Sequence, residues 1–311
     1  MKNKIIMSSS RKDKHGDIMS KQLLEKAVED INSKHKLRWT IDHKRELPPL
    51  GRIDNAELLD KDDHYFLAAE PVKYSNREEI SWDNTLIKES FDEPIYFTEI
   101  VNTPADEFEI SLDKNNFSSF EIYEKLNKDI LALSEEKVEL AMHGRKAEIP
   151  IPEIVLTISK YGVLYLLLKP FVEKIAEKLA EDTYDETKKR LKQFSNYVAK
   201  VVKLTREKAL PKKRKLVTIF ELHGTPHIEL FARTDDPSLI SKGLTEKNLC
   251  LVRDEVERLS QFVEIGKIQF VLSENGKWKF NYLLTVKGEA IGKKSIFKTR
   301  DQLYKKITLG K

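Results

Sequence analysis

The stretch KIQFVLSENGKWKFNYLLTV, Lys267–Val286, decides how the last third of the chain folds. Apolar and polar residues alternate on both sides of Asn275-Gly276, a dipeptide whose two residues tolerate the positive φ of a two-residue type I′ turn. The spacing predicts an antiparallel hairpin with Trp278, Phe280, Tyr282 and Leu284 on one face. Upstream, TEKNLCLVRDEVERLSQFV (Thr245–Val263) changes to a helical period that sets Leu249, Val252, Val256 and Leu259 inward. KLVTIFELHGTPHIELFARTDD (Lys215–Asp236) predicts a second hairpin, so residues 212–311 are expected to form a compact α+β domain of antiparallel hairpins around one helix.

Further upstream the period is helical. Val172, Ile175, Ala176, Leu179, Ala180, Tyr184, Leu191, Phe194, Val198, Val201 and Val202 follow spacings of three and four. They predict one amphipathic helix from Phe171 to Lys208, about 55 Å long at ~1.5 Å per residue. With the preceding segment it makes a helical arm over residues 149–211, and its stripe is expected to serve as a packing seam toward another protein or a second copy. EIVLTISKYGVLYLLL (Glu153–Leu168) is the most apolar segment, read as a buried core helix over 154–168. Its longest charge-free run, Tyr161–Leu168, is bracketed by Lys160 and Lys169 and falls short of the ~20 residues a spanning helix needs. An integral membrane protein is therefore not expected, and a membrane-associated or oligomerising hairpin is the sharper alternative, with peripheral association left open.

The N-terminal half is expected to be β-rich over residues 19–148. SKQLLEKAVEDINSKH (Ser20–His35) is an amphipathic helix with Ser20 as its cap. Between Leu37 and Ile100 short aromatic and β-branched runs are broken by Pro48, Pro49, Pro71 and Pro94, which reads as strands joined by long loops. FEISLDKNNFSSFEIYEKLNKDILALSEE (Phe108–Glu136) starts as a strand and becomes a helix near Ser119. Residues 1–18 are read as a polar, flexible tail.

With 311 residues, two domains that each bury a core are expected. A single cysteine, Cys250, excludes an intrachain disulfide and fits a reducing cytoplasm. The net charge of +4 hides an asymmetry: Ile53–Glu136 holds 22 acidic against 7 basic residues, and Pro170–Lys215 holds 14 basic against 7 acidic. The basic segment is expected to dock on the acidic one, with a nucleic-acid or anionic-membrane surface as the alternative. Lys212, Lys213, Arg214 and Lys215 are the candidate anion contacts.

The Walker loop, GxGxxG, HExxH, GxSxG and CxxC are all absent, and no cofactor is expected. His223 and His227 flank the turn of HGTPH, with Glu221 and Glu229 on the same two strands. That cross-strand pair is the candidate metal site.

IDHKRELPPLGRIDNAELLDKDDHYFLAAE (Ile41–Glu70) resembles a segment of the tailed-phage prohead proteases, including the Mu-like prophage protease group, across residues 36–112. The resemblance implies His43 as catalytic base before a Pro-x-Gly turn and a hairpin, and a serine nucleophile at Ser90 or Ser111. The spacing from His43 to Gly51 is one residue long, and neither serine sits in a clear family motif. Read from the residues alone, Pro48 and Pro49 stiffen a turn and Gly51 frees the backbone without any catalysis. The leading expectation is a non-enzymatic interaction or adaptor protein, placed in phage–host conflict or prophage biology by the resemblance. The rivals are a serine peptidase using His43 and a nucleic-acid or membrane-surface binder using the basic arm.

Overall fold

The computed structural model describes residues 4–12, 18–42, 44–82, 84–97, 104, 108–133, 138–143, 151–160, 162–168 and 181–309. The chain divides into two compact units, Met1–Ile100 with Tyr282–Lys311 and Val101–Asn281. The boundaries expected near residues 148 and 211 both fall inside the second unit. Among the described residues seven α-helices and fifteen strands form mixed sheets, the α+β class expected.

The first unit opens with β1 (Ile5–Ser9), α1 (Lys21–Asn32), β2 (His35–Trp39), β3 (Gly51–Lys61), β4 (His64–Lys73), β5 (Asn76–Trp82), β6 (Asn84–Ser90) and β7 (Tyr96–Phe97). Five of these strands make a sheet in the order β1-β4-β3-β2-β7. Part of the expected tail is therefore a strand: β1 runs antiparallel to β4, from Ile5 opposite Ala69 to Ser9 opposite Phe66. The β4 edge supplies backbone partners that a composition reading cannot see. The Ser20 side chain caps α1 by accepting from the Leu23 N–H, and Leu24 and Ile31 bury against Ile53, Ala56, Leu67 and Ala69. The connection from β3 to β4 is two residues rather than a long loop. Asp62 and Asp63 have φ of 54° and 60°, the pair of positive values a type I′ turn needs.

The second unit contains β8 (Phe108–Asp113), α2 (Phe120–Ala132), β9 (Glu139–His143), β10 (Glu153–Ile158), α3 (Val163–Leu168) and α4 (Glu181–Lys208). After them come β11 (Val217–Leu222), β12 (His227–Arg233), α5 (Pro237–Gly243), α6 (Glu246–Ser260), β13 (Ile265–Leu272) and the start of β14 (Trp278–Thr285). Its strands lie in the order β14-β13-β12-β11-β10-β8-β9. The core helix expected over 154–168 is corrected: Glu153–Ile158 is the strand β10, parallel to β11 and antiparallel to β8, and only Val163–Leu168 is helical. All six residues of β10 are buried. A strand covered on both faces carries no alternation to betray it, and the β-branched Ile154, Val155, Thr157 and Ile158 favour it.

Helix α4 is not a projecting arm. Its Leu191, Phe194, Tyr197, Val198, Val201 and Val202 are buried, and Phe194 meets Phe108 of β8 at 5.2 Å and Phe220 of β11 at 6.3 Å between ring centroids. The seam that the sequence offers for a partner is consumed inside the unit. Residues 169–180, including the expected helix start at Phe171, lie outside the described residues.

The predicted hairpins form, yet the turn at Asn275-Gly276 differs from expectation. Ser273 N–H donates to Lys277 O and Gly276 N–H to Ser273 O, and of the turn residues only Gly276 has positive φ, at 78°. This is a longer loop with a left-handed residue at its end rather than a two-residue type I′ turn. The chain then returns to the first unit through the end of β14, β15 (Ala290–Lys293) and α7 (Lys294–Leu309). There β15 pairs antiparallel with Tyr282–Leu284 and with β6, and β6 pairs with β5. Ile87, Tyr282, Leu284, Ala290 and Phe297 form the core beneath α7.

Candidate functional site

The burial of one side of α4 determines what the other side presents. Opposite the apolar stripe, Lys189, Lys192, Gln193, Asn196, Lys200 and Lys203 are exposed. At 100° per residue they share one face, and from Lys189 to Lys203 the row runs about 21 Å. The acidic Asp185 and Glu207 bound it at either end. None of these four lysines pairs with a described carboxylate, in contrast to Lys188, whose Nζ lies 3.9 Å from Glu246, and Lys208, whose Nζ donates to Asp129 at 2.7 Å. The Lys208 hydrogen bond holds the Asp129 carboxyl below the usual carboxylate range. That pair joins α4 to α2 and links the basic segment to the acidic one within this unit.

The Lys212–Lys215 run follows directly. Lys212 Nζ donates to the Arg206 and Glu207 carbonyls at 3.1 and 2.5 Å, satisfying acceptors that the end of a helix leaves open. Arg206 in turn donates to the Arg214 carbonyl at 2.9 Å, so the run is folded back on the helix end. Lys213 and Lys215 are exposed and Arg214 is half-buried. Of the four candidate anion contacts, Lys212 therefore has a capping task of its own.

A second polar feature crosses the sheet of this unit. In register, Glu139, Glu109, Thr157, Glu221, Glu229 and Gln269 stand side by side on β9, β8, β10, β11, β12 and β13. Asn281 of β14 continues the row by donating to Gln269 Oε1 at 2.6 Å. Glu229 is fully buried, and its carboxylate accepts from Lys267 Nζ at 2.7 Å and from the Gln269 amide. A buried carboxylate is tolerated only when paired and hydrogen-bonded; here β13 supplies both partners and β14 holds one of them in place. The network specifies strand register, since a slip of one residue would bury Glu229 on the apolar face. His223 and His227 sit beside this row with their rings 4.7 Å apart and edge to face, and His223 Nε2 lies 3.9 Å from Glu221 Oε2. Among the described residues no three His, Cys, Asp or Glu side chains are grouped so as to hold a metal ion.

The segment from Ile41 to Glu70, where a catalytic histidine is expected, consists mostly of residues with structural work. His43 lies outside the described residues. Leu47, Pro48, Pro49, Leu50 and Gly51 are all buried. The Pro49 carbonyl accepts from Arg300 of α7 at 2.7 Å, and Leu50 N–H donates to Trp39 O at 2.8 Å. Gly51 begins β3 between Trp39 and Lys73, where an added Cβ would lie 1.9 Å from the Val72 carbonyl oxygen. Close backbone approach alone thus requires glycine. Ser90 ends β6 opposite Asn76 in the first unit, and Ser111 sits in β8 of the second unit between Val155 and Ala141. Both serines are half-buried.

The Arg300 guanidinium organises this part of the first unit. It donates to both oxygens of the buried Glu89, at 2.7 and 2.8 Å, and to Asp301 Oδ1 at 2.7 Å. Burial pulls its pKa down, but the bonds to Glu89 and Asp301 prevail and raise it. Arg77 adds 2.6 Å to Asp301 and 3.5 Å to Glu89. Tyr74 is half-buried nearby, and its ionisation is suppressed by burial of its hydroxyl end and then by the Glu89 charge.

Composition marks the basic segment Pro170–Lys215 as a whole, but the individual lysines of α4 are not among the residues singled out, because basic residues on a helix are ordinary. The signal is their common face: Lys189, Lys192, Lys200 and Lys203 fall opposite Leu191, Phe194, Val198 and Val201. Comparison of the chain with family models, with curated proteins and with solved structures finds no match in any of the three.

Proposed function

We propose that the protein is a non-enzymatic interaction protein that binds an extended polyanion along α4. One observation carries the reading: four lysines and two amides share an exposed face about 21 Å long, while the opposite face is locked into the core. A rigidly mounted row of cations concentrates positive potential in a line, which favours a partner whose negative charges are themselves in a line. Polar side chains on such a face cost little when free and gain little from isolated surface pairs, so their value lies in a multivalent partner.

Retention on immobilised heparin tests this. The intact protein is expected to elute at distinctly higher salt than the Lys189→Ala/Lys192→Ala/Lys200→Ala/Lys203→Ala variant, whose circular dichroism should be unchanged because all four side chains are exposed. Co-elution of the two proteins would remove the basis for the reading.

A further inference from the structure

From the chemistry of the same face we infer that the polyanion is duplex nucleic acid, held through its phosphate backbone without regard to sequence. The inference rests on α4 being the polyanion surface, and it adds the class of partner.

Three features of the face select this class. First, the cations are interleaved with amides: Gln193 and Asn196 lie between Lys192 and Lys200. Lysine supplies a point charge to a phosphate, whereas Gln and Asn side chains donate hydrogen bonds to phosphate and sugar oxygens, the part of a duplex that receives about half to two-thirds of protein hydrogen bonds. Successive donors along the face are four residues apart or fewer, a rise of at most about 6 Å. A duplex carries one charge per ~1.7 Å of its axis, both strands counted, so a 21 Å length of it holds roughly a dozen phosphates, a density that offers several to a row of cations.

Second, the exposed residues of α4 between Asp185 and Lys208 include no aromatic side chain. Single strands are gripped by stacking unpaired bases on aromatic rings, and this face has no such platform. Third, the same residues include no large apolar side chain. A helix that lies on a lipid surface buries an apolar face in the headgroup boundary, but the apolar face of α4 is already buried against Phe108 and Phe220. The contacts expected are therefore electrostatic and positional. Gln193 and Asn196 pair with an adenine edge only from inside a groove, whereas the four lysines are point charges that address phosphates, so binding is expected to be carried by the backbone and to vary little with sequence.

Past the helix end, Lys213 and Lys215 are exposed, while Lys212 is occupied with the α4 carbonyls. They form a separate segment whose contribution is separately removable.

The test is fluorescence anisotropy of the full chain with a labelled duplex of about twenty base pairs, over about 50 to 200 mM salt. Binding is expected to weaken linearly on a log–log scale. Substituting the four stripe lysines by Ala should reduce the slope by ~0.9 for each phosphate no longer neutralised, between about three and four in total. The Lys213→Ala/Lys215→Ala variant should reduce it by at most about two, and replacing the four stripe lysines by Arg should preserve it. Two duplexes of unrelated sequence should bind alike, and the matching single strand more weakly. Equal or tighter binding of the single strand, or binding to vesicles of anionic lipid matching that to the duplex, would overturn the inference. Retention on heparin together with failure to bind the duplex would overturn it while leaving the polyanion reading intact. Failure on both would remove the two together.

Discussion

Replacing Arg300 by Met tests how the first unit is held together. Its guanidinium is 4% exposed and makes two bonds to Glu89, itself 6% exposed, one to the Pro49 carbonyl and two to Asp301. Removing one member of a buried, bidentate pair leaves an uncompensated carboxylate and typically costs about 3–5 kcal/mol. The stranded Pro49 carbonyl is part of that cost, since an unsatisfied buried acceptor costs about 1–3 kcal/mol by itself. Arg77, 3.5 Å from Glu89 and 42% exposed, replaces little of it. Removing both partners differs in kind: Glu89→Leu/Arg300→Met buries apolar groups of similar size. It should be less destabilised than Arg300→Met alone, because well-packed apolar replacements for buried ion pairs are often neutral. The assay is urea unfolding followed in parallel by tryptophan fluorescence and circular dichroism, so that separate melting of the two units is seen rather than averaged. A destabilisation below about 1 kcal/mol for Arg300→Met, or a double variant whose destabilisation equals the sum of the singles, would refute a tightly coupled buried pair.

Gly276→Val should lower stability by about 1–3 kcal/mol, read as a fall in Tm, because it forces a β-branched residue to φ 78°. Gly276→Asn should recover most of this, since Asn enters the left-handed region readily. Burial tends to raise the Asp301 pKa, but hydrogen bonds from Arg77 and Arg300 prevail and depress it. Its contribution is therefore present above the unfolded carboxylate value of ~3.9 and disappears as pH falls through the lower folded value. Asp301→Asn should destabilise the protein at neutral pH and flatten the acid limb of a pH–stability curve. An unchanged acid limb would show that the ion pairs to Arg77 and Arg300 do not persist in solution.

Elements whose causes lie within one or two turns of chain are legible in the amino-acid sequence. Ser20 and Ser119 announce their helices because each caps an N–H three residues on, and Leu249, Val252, Val256 and Leu259 share a face wherever their helix packs. The alternation of Trp278, Phe280 and Tyr282 likewise needs only the pleat of a strand. Glu153–Ile158 shows the limit: a run buried on every side has no period, so only its pairing with β8 and β11 makes it a strand. β1 is a strand because β4, far along the chain, offers an edge. Asn275-Gly276 marks the right hairpin, but the backbone bonds of Ser273 and Lys277 choose the turn, and Asp62-Asp63 adopts the type I′ turn instead. The loop after His43 is explained by Arg300, more than two hundred residues downstream, and by the Val72 carbonyl against Gly51. The lysines of α4 are visible as charges in the sequence alone. Only the packing of Phe194 and Val198 into the second unit decides that Lys189, Lys192, Lys200 and Lys203 face outward together, because a helix commits its polar face by burying the other.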